Sequence, residues 1–288
     1  APTAAAPARR LRSAASLGGA LLHRDLDAIV AGRNELFAPE LQPRFTKALG
    51  DLALLFGGME IDEDLLPALG PWIELGVAEL DFAGAPRPDL ALPGLVALVE
   101  VDRAREQNML AGFQTAVSIG NAQRAQDGEP PFALMLSLEG DATISAGHMP
   151  PPMEGQPIDM TYNLAPACAF HDGYLVLGTH EAIVRAALRD LTAGSDEPAP
   201  EGPPVERMTL AGAPLAELVE ASAEYLVMQA VLNEGKDRAT AETETRALAA
   251  ILGAIDRADL SLTDSGDRLS LALELWLAKP LVLTEAAE

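Results

Sequence analysis

The chain has 288 residues, of which 49% are hydrophobic and only 4% aromatic, and its formal net charge is −23. A surface with 43 acidic and 20 basic residues repels nucleic-acid phosphates and anionic lipid headgroups, so nucleic acid is excluded as an expected partner. The few aromatic side chains also argue against a stacking platform for bases or sugars. The charge favours cations or a basic partner protein, although acidity also serves solubility alone.

Three features bear on the compartment in which the protein works. Cys168 is the single cysteine, so an intrachain disulfide is excluded, and its apolar surroundings predict a small buried residue. The sequence contains no run of 18 apolar residues, so no transmembrane segment is predicted. The start is rich in alanine and proline and lacks Met, which is typical of an end left after processing. Low cysteine usage fits a cytoplasmic protein and, equally, a bacterial extracytoplasmic one that does not rely on disulfides. From the processed-looking start we expect an extracytoplasmic protein, either periplasmic or secreted.

The first part of the chain predicts a mobile start, two helices and two strands. Residues 1–16 are of low complexity and are expected to be flexible. Leucines and isoleucine at helical spacing predict a helix over 17–30, and 45–55 continues in the same style. Alternation over 72–82 predicts a strand, and the Val- and Leu-rich run 92–101 predicts a clearer one.

The middle of the chain predicts a long helix followed by hairpins. Asp102 occupies an N-cap position, and a helix is expected over 103–126. Asp172-Gly173, between two apolar runs, is the strongest hairpin signal in the sequence. Thr179 is the expected cap of the amphipathic helix that follows. The remaining predicted elements of this region are strands over 132–138 and 142–146, hairpin arms over 161–170 and 174–179, and a helix over 180–191.

The last third predicts a strand, two helices and a closing hairpin. Residues 193–204 are acidic and proline-rich and are expected to form a linker or surface loop. Leucines alternate without exception from Leu269 to Leu277, which predicts that one face of this strand belongs to the core. The other predicted elements are a strand over 207–211, helices over 214–233 and 240–255, and hairpin arms over 258–262 and 268–278.

Strands that come in adjacent pairs, rather than alternating with helices, favour an α+β fold with antiparallel sheets built from hairpins and packed by long helices. Two stretches, 92–177 and 207–278, share the order strand, long helix, hairpin, and would be two similar units. We expect residues 17–192 to form one α+β domain. The helix pair and hairpin of 205–288 are expected to pack on the same sheet.

The chain contains the runs DLLPALG (64–70), FHDGYLVLGTHEAIVRAAL (170–188) and DSGDRLSLALEL (264–275). These three runs resemble segments of DUF3352-type proteins, a family of uncharacterised bacterial extracytoplasmic proteins. The resemblance implies an exported protein and carries over no catalytic residue. Folding alone also explains each run, because Pro67 and Gly70 end a helix and Asp172-Gly173 make a turn.

The sequence contains no recognised catalytic, metal-binding or cofactor-binding motif. The four histidines lack HExxH or HxxxH spacing; His171 and His180 are the pair that could approach each other at a hairpin base. The acidic turns 62–64 and 264–267 do not match a calcium-binding loop. Nucleophile-elbow and phosphate-binding patterns are missing as well. We therefore expect a protein that is not an enzyme and uses no cofactor.

The helix over 214–233 is more apolar than one buried face requires. Its candidate interaction surface consists of Leu218, Tyr225, Leu226, Met228 and Val231, which would dock another protein or a lipid. The alternative is a helix packed between a sheet and a second helix. The leading hypothesis is a non-catalytic accessory or scaffold protein that acts through protein–protein contacts. An apolar small-molecule or lipid-binding module, and a hydrolase with an unrecognised site, remain the alternatives.

Overall fold

The structure is a computed structural model that describes residues 7–55, 60–82, 86–88, 90–152, 158, 160–194, 205–264 and 267–278. The strands are β1 Gly18–His23, β2 Leu69–Ala78, β3 Gly94–Val101, β4 Ala133–Glu139, β5 Ala142–His148, β6 Ala167–His171, β7 Tyr174–Gly178, β8 Val205–Ala211, β9 Ile255–Asp264 and β10 Leu269–Leu277. The α-helices are α1 Leu26–Ala31, α2 Arg33–Leu36, α3 Gln42–Leu55, α4 Glu106–Gln126, α5 Glu181–Ala193, α6 Gly212–Ala221, α7 Ala223–Glu234 and α8 Arg238–Gly253.

All ten strands belong to one sheet with the order β10-β9-β8-β1-β2-β3-β7-β6-β5-β4, and every neighbouring pair is antiparallel. In three neighbouring pairs the strands are separated by only two to four residues of chain: β4 with β5, β6 with β7, and β9 with β10. The predicted α+β class with an antiparallel, hairpin-built sheet is confirmed. The strands of residues 205–277 extend the same sheet, because β8 pairs with β1.

The two halves that meet at the β1–β8 pair have the same connectivity. In each half, the first strand is followed in the chain by helices and then by two more strands. These strands lie side by side in chain order, each farther from the β1–β8 pair than the one before, as β1-β2-β3 in one half and β8-β9-β10 in the other. The stretch 92–177 has the expected chain order of strand, long helix and hairpin, but its strands are arranged differently in the sheet. There, β7 and β6 lie between β3 and the β5–β4 hairpin, so that stretch does not repeat the plan of 207–278.

The helix expected over 17–30 is wrong in its first half. Residues 18–23 form β1, which lies between β2 and β8, and only Leu26–Ala31 is helical. Gly19 lies opposite Gly76 of β2. A side chain at Gly76 would come within 2.4 Å of the Ala14 carbonyl, so the glycines permit a close approach of the chain that no helical periodicity encodes.

An N-terminal strap, residues 7–16, crosses this part of the sheet and ends in a short 3₁₀ turn, Ser13–Ala15. The Glu74 carboxylate of β2 accepts hydrogen bonds from the backbone N–H groups of Arg10 and Leu11. The Asp190 carboxylate of α5 accepts hydrogen bonds from those of Arg12 and Ala14. Leu11 and Ala14 are 3% and 0% exposed. The packed strap differs from the flexible segment expected for 1–16, of which residues 1–6 lie outside the described residues.

The buried side chains concentrate in the half of the sheet that carries β3 to β7. One cluster lies between the sheet and α5 and contains Val96, Ile144, Val176 and Leu188. The other is built around Met109 of α4 and contains residues from the helices and from β6 and β7. This half therefore supplies most of the core.

Several local predictions can be compared directly with the structure. Asp172 and Gly173 adopt φ values of 49° and 81° between β6 and β7, so the predicted turn is confirmed. His180, rather than Thr179, caps α5 by accepting the N–H of Ala182. The helix expected over 214–233 is interrupted at Ser222. Residues 195–204 of the expected linker lie outside the described residues.

Candidate functional site

The leucines of β10 lie in water rather than in the core. Leu269, Leu271, Leu273, Leu275 and Leu277 are 69%, 70%, 63%, 53% and 41% exposed. The expectation that this row belongs to the core is therefore wrong, although the strand itself is confirmed. The alternation of apolar and other residues along a strand indicates that one side of the strand is apolar. It does not indicate whether another part of the chain covers that side.

The leucine row continues onto the neighbouring strands. Directly opposite residues of antiparallel strands share one side of the sheet, and the register sets Leu271 opposite Leu262 and Leu273 opposite Leu260. Leu260 in turn lies opposite Met208, which is 49% exposed. We call this surface the leucine face. Its members are Leu269, Leu271, Leu273, Leu275 and Leu277 of β10, Leu260 and Leu262 of β9, and Met208 and Leu210 of β8.

The other side of the same three strands has the composition of a solvated surface. Ser270, Ala272 and Glu274 of β10 lie opposite Thr263, Ser261 and Asp259 of β9. The Arg257 guanidinium forms an ion pair with Asp259 and lies 4.1 Å from the centre of the Trp276 ring. One side is therefore polar and the other apolar, which is the pattern of a sheet that buries its apolar side against a second layer.

The part of the protein that carries this exposed surface, residues 205–277, has few fully buried side chains of its own. Within the described residues 205–277, the buried hydrophobic side chains are Ala216, Val227, Ala241 and Ala249. Full burial of one leucine is worth about 1.5–3 kcal/mol. The exposed fractions of the five β10 leucines together equal about three whole side chains, so covering them would contribute roughly 5–9 kcal/mol before the entropic cost of association.

An apolar row extends from the leucine face across all ten strands. Each residue of this row lies directly opposite the next one on the neighbouring strand, so the row takes one residue from each strand. Ser145 is the only residue of the row with a hydroxyl group. The row is Leu273, Leu260, Met208, Ala20, Leu75, Ala97, Leu177, Cys168, Ser145 and Leu136. Cys168 and Ser145 are fully buried, whereas Leu75 and Leu177 are each 36% exposed. Burial raises the pKa of the Cys168 thiol to about 12, so it is an unreactive core residue.

The helical surface proposed from the sequence lies on α6 and α7. Of its five residues Met228 is 47% exposed, while Leu218, Tyr225, Leu226 and Val231 are partly buried. Leu218 lines a cavity of about 100 Å³ together with Leu80, Leu92 and Pro93. Sequence reasoning placed the candidate surface on this helix and missed the leucine face. The signal for the face in the sequence is the alternation of leucines in β10, which by itself predicts a core strand.

A second candidate is a polar cluster at the start of α5. Glu181 accepts hydrogen bonds from the Ser137 hydroxyl and the Arg185 guanidinium, each at 2.5 Å, and its other oxygen lies 2.7 Å from Nε2 of His148. The His148 hydrogen bond, helped by those of Ser137 and Arg185, lowers the pKa of Glu181 to about 2 although burial raises it.

The order of groups in this cluster differs from that of a hydrolytic triad. In a triad the histidine lies between the serine and the carboxylate and takes the serine proton. Here the carboxylate lies between Ser137 and His148, so the cluster joins β4, β5 and α5 without giving the serine a base. His171 lies 3.3 Å from Asp141, and His180 packs edge-on against Phe82, so each of these two histidines has its own partner.

A cavity of about 220 Å³ lies beside the N-terminal strap. Trp72, Glu74, Tyr174 and Arg10 are among its lining residues, and the Arg10 guanidinium lies 4.6 Å from the centre of the Tyr174 ring. Burial raises the pKa of the Glu74 carboxyl, against the two backbone N–H groups that lower it. Pockets for drug-sized ligands measure about 300–1,000 Å³, so this cavity suits water or a small ion better.

Among the described residues, no group of three or more His, Cys, Asp or Glu side chains is placed to hold a metal ion. Within the same residues, no helix combines the length and apolar character needed to cross a membrane. Comparisons with protein-family models, curated proteins and solved structures found no match, so the DUF3352-type resemblance stays a prediction.

Proposed function

We propose that this chain is a non-catalytic accessory or scaffold protein that works through protein–protein contacts, and that the leucine face is its docking surface. One observation carries the proposal: a complete row of five leucines on β10 is 41–70% exposed, next to the equally exposed Met208 and Leu210. A contiguous apolar patch of this kind marks an interaction site. An extracytoplasmic location rests on the family resemblance and belongs to the same proposal.

The test compares two variants of one strand. Leu273→Asp places a carboxylate in the centre of the leucine face, whereas Ala272→Asp places the same group on the polar side. We expect the protein isolated gently from its own source to have a native mass above 30.2 kDa. Leu273→Asp should remove the heavier species and Ala272→Asp should retain it, because only the former buries an unpaired charge on docking. A clean monomer for the unmodified chain would contradict the proposal.

A second candidate function, binding of an apolar small molecule or lipid, is supported by the continuation of the apolar row toward the middle of the sheet. Leu75, Leu95 and Leu177 are 36%, 52% and 36% exposed there. The probe is a fluorescent fatty acid titrated into the purified chain. This function predicts that Leu95→Asp weakens binding while Leu273→Asp, on the outer strand, leaves it unchanged. Failure of the probe to bind would remove this candidate and leave the docking proposal intact.

A further inference from the structure

The leucine face is large enough to be one half of a stable interface. Its seven most exposed side chains, five leucines of β10 with Met208 and Leu210, are each 41–70% exposed and adjoin Leu260 and Leu262. An ordinary stable interface buries roughly 800 Å² on each partner. Nine large apolar side chains on three neighbouring strands offer an area of that order, so one partner of similar shape can cover the face.

The chemistry of the face restricts what that partner can be. Carboxylates on the same side as the face lie toward its margins, such as Glu206 on β8 and Asp264 at the end of β9; Glu206 is ion-paired with Arg24. The centre of the face therefore carries no charge, although the chain has a net charge of −23. A basic partner would find nothing acidic to recognise there. An uncharged, regular apolar sheet surface is the better fit.

We infer that the occupant is a second copy of this chain, packed face to face so that the leucine faces of two molecules form a β-sandwich around a two-fold axis. This inference rests on the proposed function and names its partner. Apolar sheet faces pack about 10 Å apart with their strands within about 30° of alignment, and their alternate side chains interdigitate. Leucine rows at a period of two supply this pattern on both sides, and a two-fold axis makes the same patch serve both molecules.

Face-to-face packing of two sheets can be distinguished by substitutions from side-by-side pairing of two β10 strands. β10 is also an edge strand, and two β10 edges could in principle join side by side. Edge pairing would leave the leucines in water and would respond alike to substitutions on either side of the strand. Face packing responds only to substitutions at the leucine positions. Leu271, Leu273 and Ala272 therefore distinguish the two arrangements, because they are neighbours on one strand with alternating direction.

The experiment measures the mass of the purified chain by sedimentation velocity or light scattering, across roughly 1–100 µM. We expect a dimer of twice 30.2 kDa for the unmodified chain and for Ala272→Asp. Leu271→Asp and Leu273→Asp should raise the dimer dissociation constant at least about 100-fold, because each buries an unpaired carboxylate. Far-UV circular dichroism should be unchanged, since both leucines are 63–70% exposed in the single chain.

Three results would overturn the inference. The unmodified chain could stay monomeric throughout the range, the dimer could survive Leu273→Asp, or Ala272→Asp could weaken it as much as Leu273→Asp does. The outcome is separable from that of the proposed function. A monomeric pure chain, combined with a heavier species from the source that Leu273→Asp removes, would reject the second copy and retain the docking face. Monomers in both preparations would reject both.

Discussion

Leu273 of β10 and Leu260 of β9 lie opposite each other in the antiparallel ladder, and Leu273 is 63% exposed. Their common side of the sheet is apolar on three consecutive strands, while the opposite side carries Asp259, Ser261 and Glu274 beside Ala272 and Trp276. A sheet divided in this way is stabilised when a second layer covers the apolar side.

A triple variant, Leu271→Ser, Leu273→Ser and Leu275→Ser, should reduce the binding of a hydrophobic fluorescent dye under conditions in which the chain is monomeric. Exposed apolar patches bind such dyes, and these side chains supply the centre of the patch. The matched control replaces Leu232, Leu248 and Ile251 of the helices, which are 70%, 47% and 62% exposed. Equal loss of dye binding in both triple variants would show that the leucine face is not distinctive.

The Glu181 cluster should give the protein a specific sensitivity to acid. The folded pKa of about 2 lies below the ordinary value of 4.5, so the stabilisation is fully present above pH 4.5 and is lost as the pH falls toward 2. Glu181→Gln should lower the free energy of unfolding at pH 7 by about 1–2 kcal/mol.

Chemical denaturation at several pH values checks this expectation. The difference between Glu181→Gln and the unmodified chain should shrink as the pH falls from 4.5 toward 2. Glu217→Gln on the exposed surface of α6 is the control and should change stability by less than about 0.5 kcal/mol at every pH. A difference that stays constant with pH would show that the Glu181 carboxylate is not held in its ionised form by its neighbours.

The N-terminal strap should depend on Glu74. Glu74→Ala removes the acceptor of the Arg10 and Leu11 backbone N–H groups, at a cost of about 1–3 kcal/mol. Glu74→Gln keeps an acceptor oxygen and removes a carboxyl whose pKa burial already raises, so its cost should be smaller. Hydrogen exchange at Arg10 and Leu11 should accelerate strongly in Glu74→Ala. Unchanged protection there would mean that Asp190 and packing of Leu11 hold the strap without Glu74.

Alanine substitutions at Gly76 and Gly120 should change the stability of the protein in opposite directions. A methyl group at Gly76 would lie 2.4 Å from the Ala14 carbonyl, so Gly76→Ala should destabilise the chain by about 1–3 kcal/mol or displace the strap. Gly120 lies inside α4 with nothing within 4 Å of an added methyl group, so Gly120→Ala should stabilise by about 0.5–1 kcal/mol. Thermal unfolding of both variants decides the matter, and equal effects would contradict the close approach of Ala14 to β2.

Local patterns in the sequence predicted most elements, and long-range contacts account for the differences. The Asp172-Gly173 turn and α4 followed from turn chemistry and periodicity. The leucines of Gly18–His23 continue the spacing of α1 and so predict a helix, whereas pairing with β2 and β8 makes the segment a strand. Strand order depends on such distant pairings. It therefore cannot be derived from periodicity within one segment.

The candidate site was harder to predict, because a sequence shows which side of a strand is apolar but not what lies on it. Alternation from Leu269 to Leu277 indicated a core strand, and the same alternation also describes a docking surface. The residues selected on the helix, such as Leu218 and Tyr225, lie partly buried on α6 and α7. A comparison between the number of apolar side chains on the strands and the number of helices that can cover them would predict such an exposed face.

The most direct test of the docking face is the rate at which hydrogen peroxide oxidises three methionines in the native protein. Met208 on the leucine face, Met135 on β4 and Met228 on α7 are 49%, 56% and 47% exposed, so they should react at similar rates in a dissociated chain. In the assembled protein we expect Met208 to be protected at least about tenfold relative to the other two. Equal reactivity of all three, or protection of Met228 instead, would contradict the central claim.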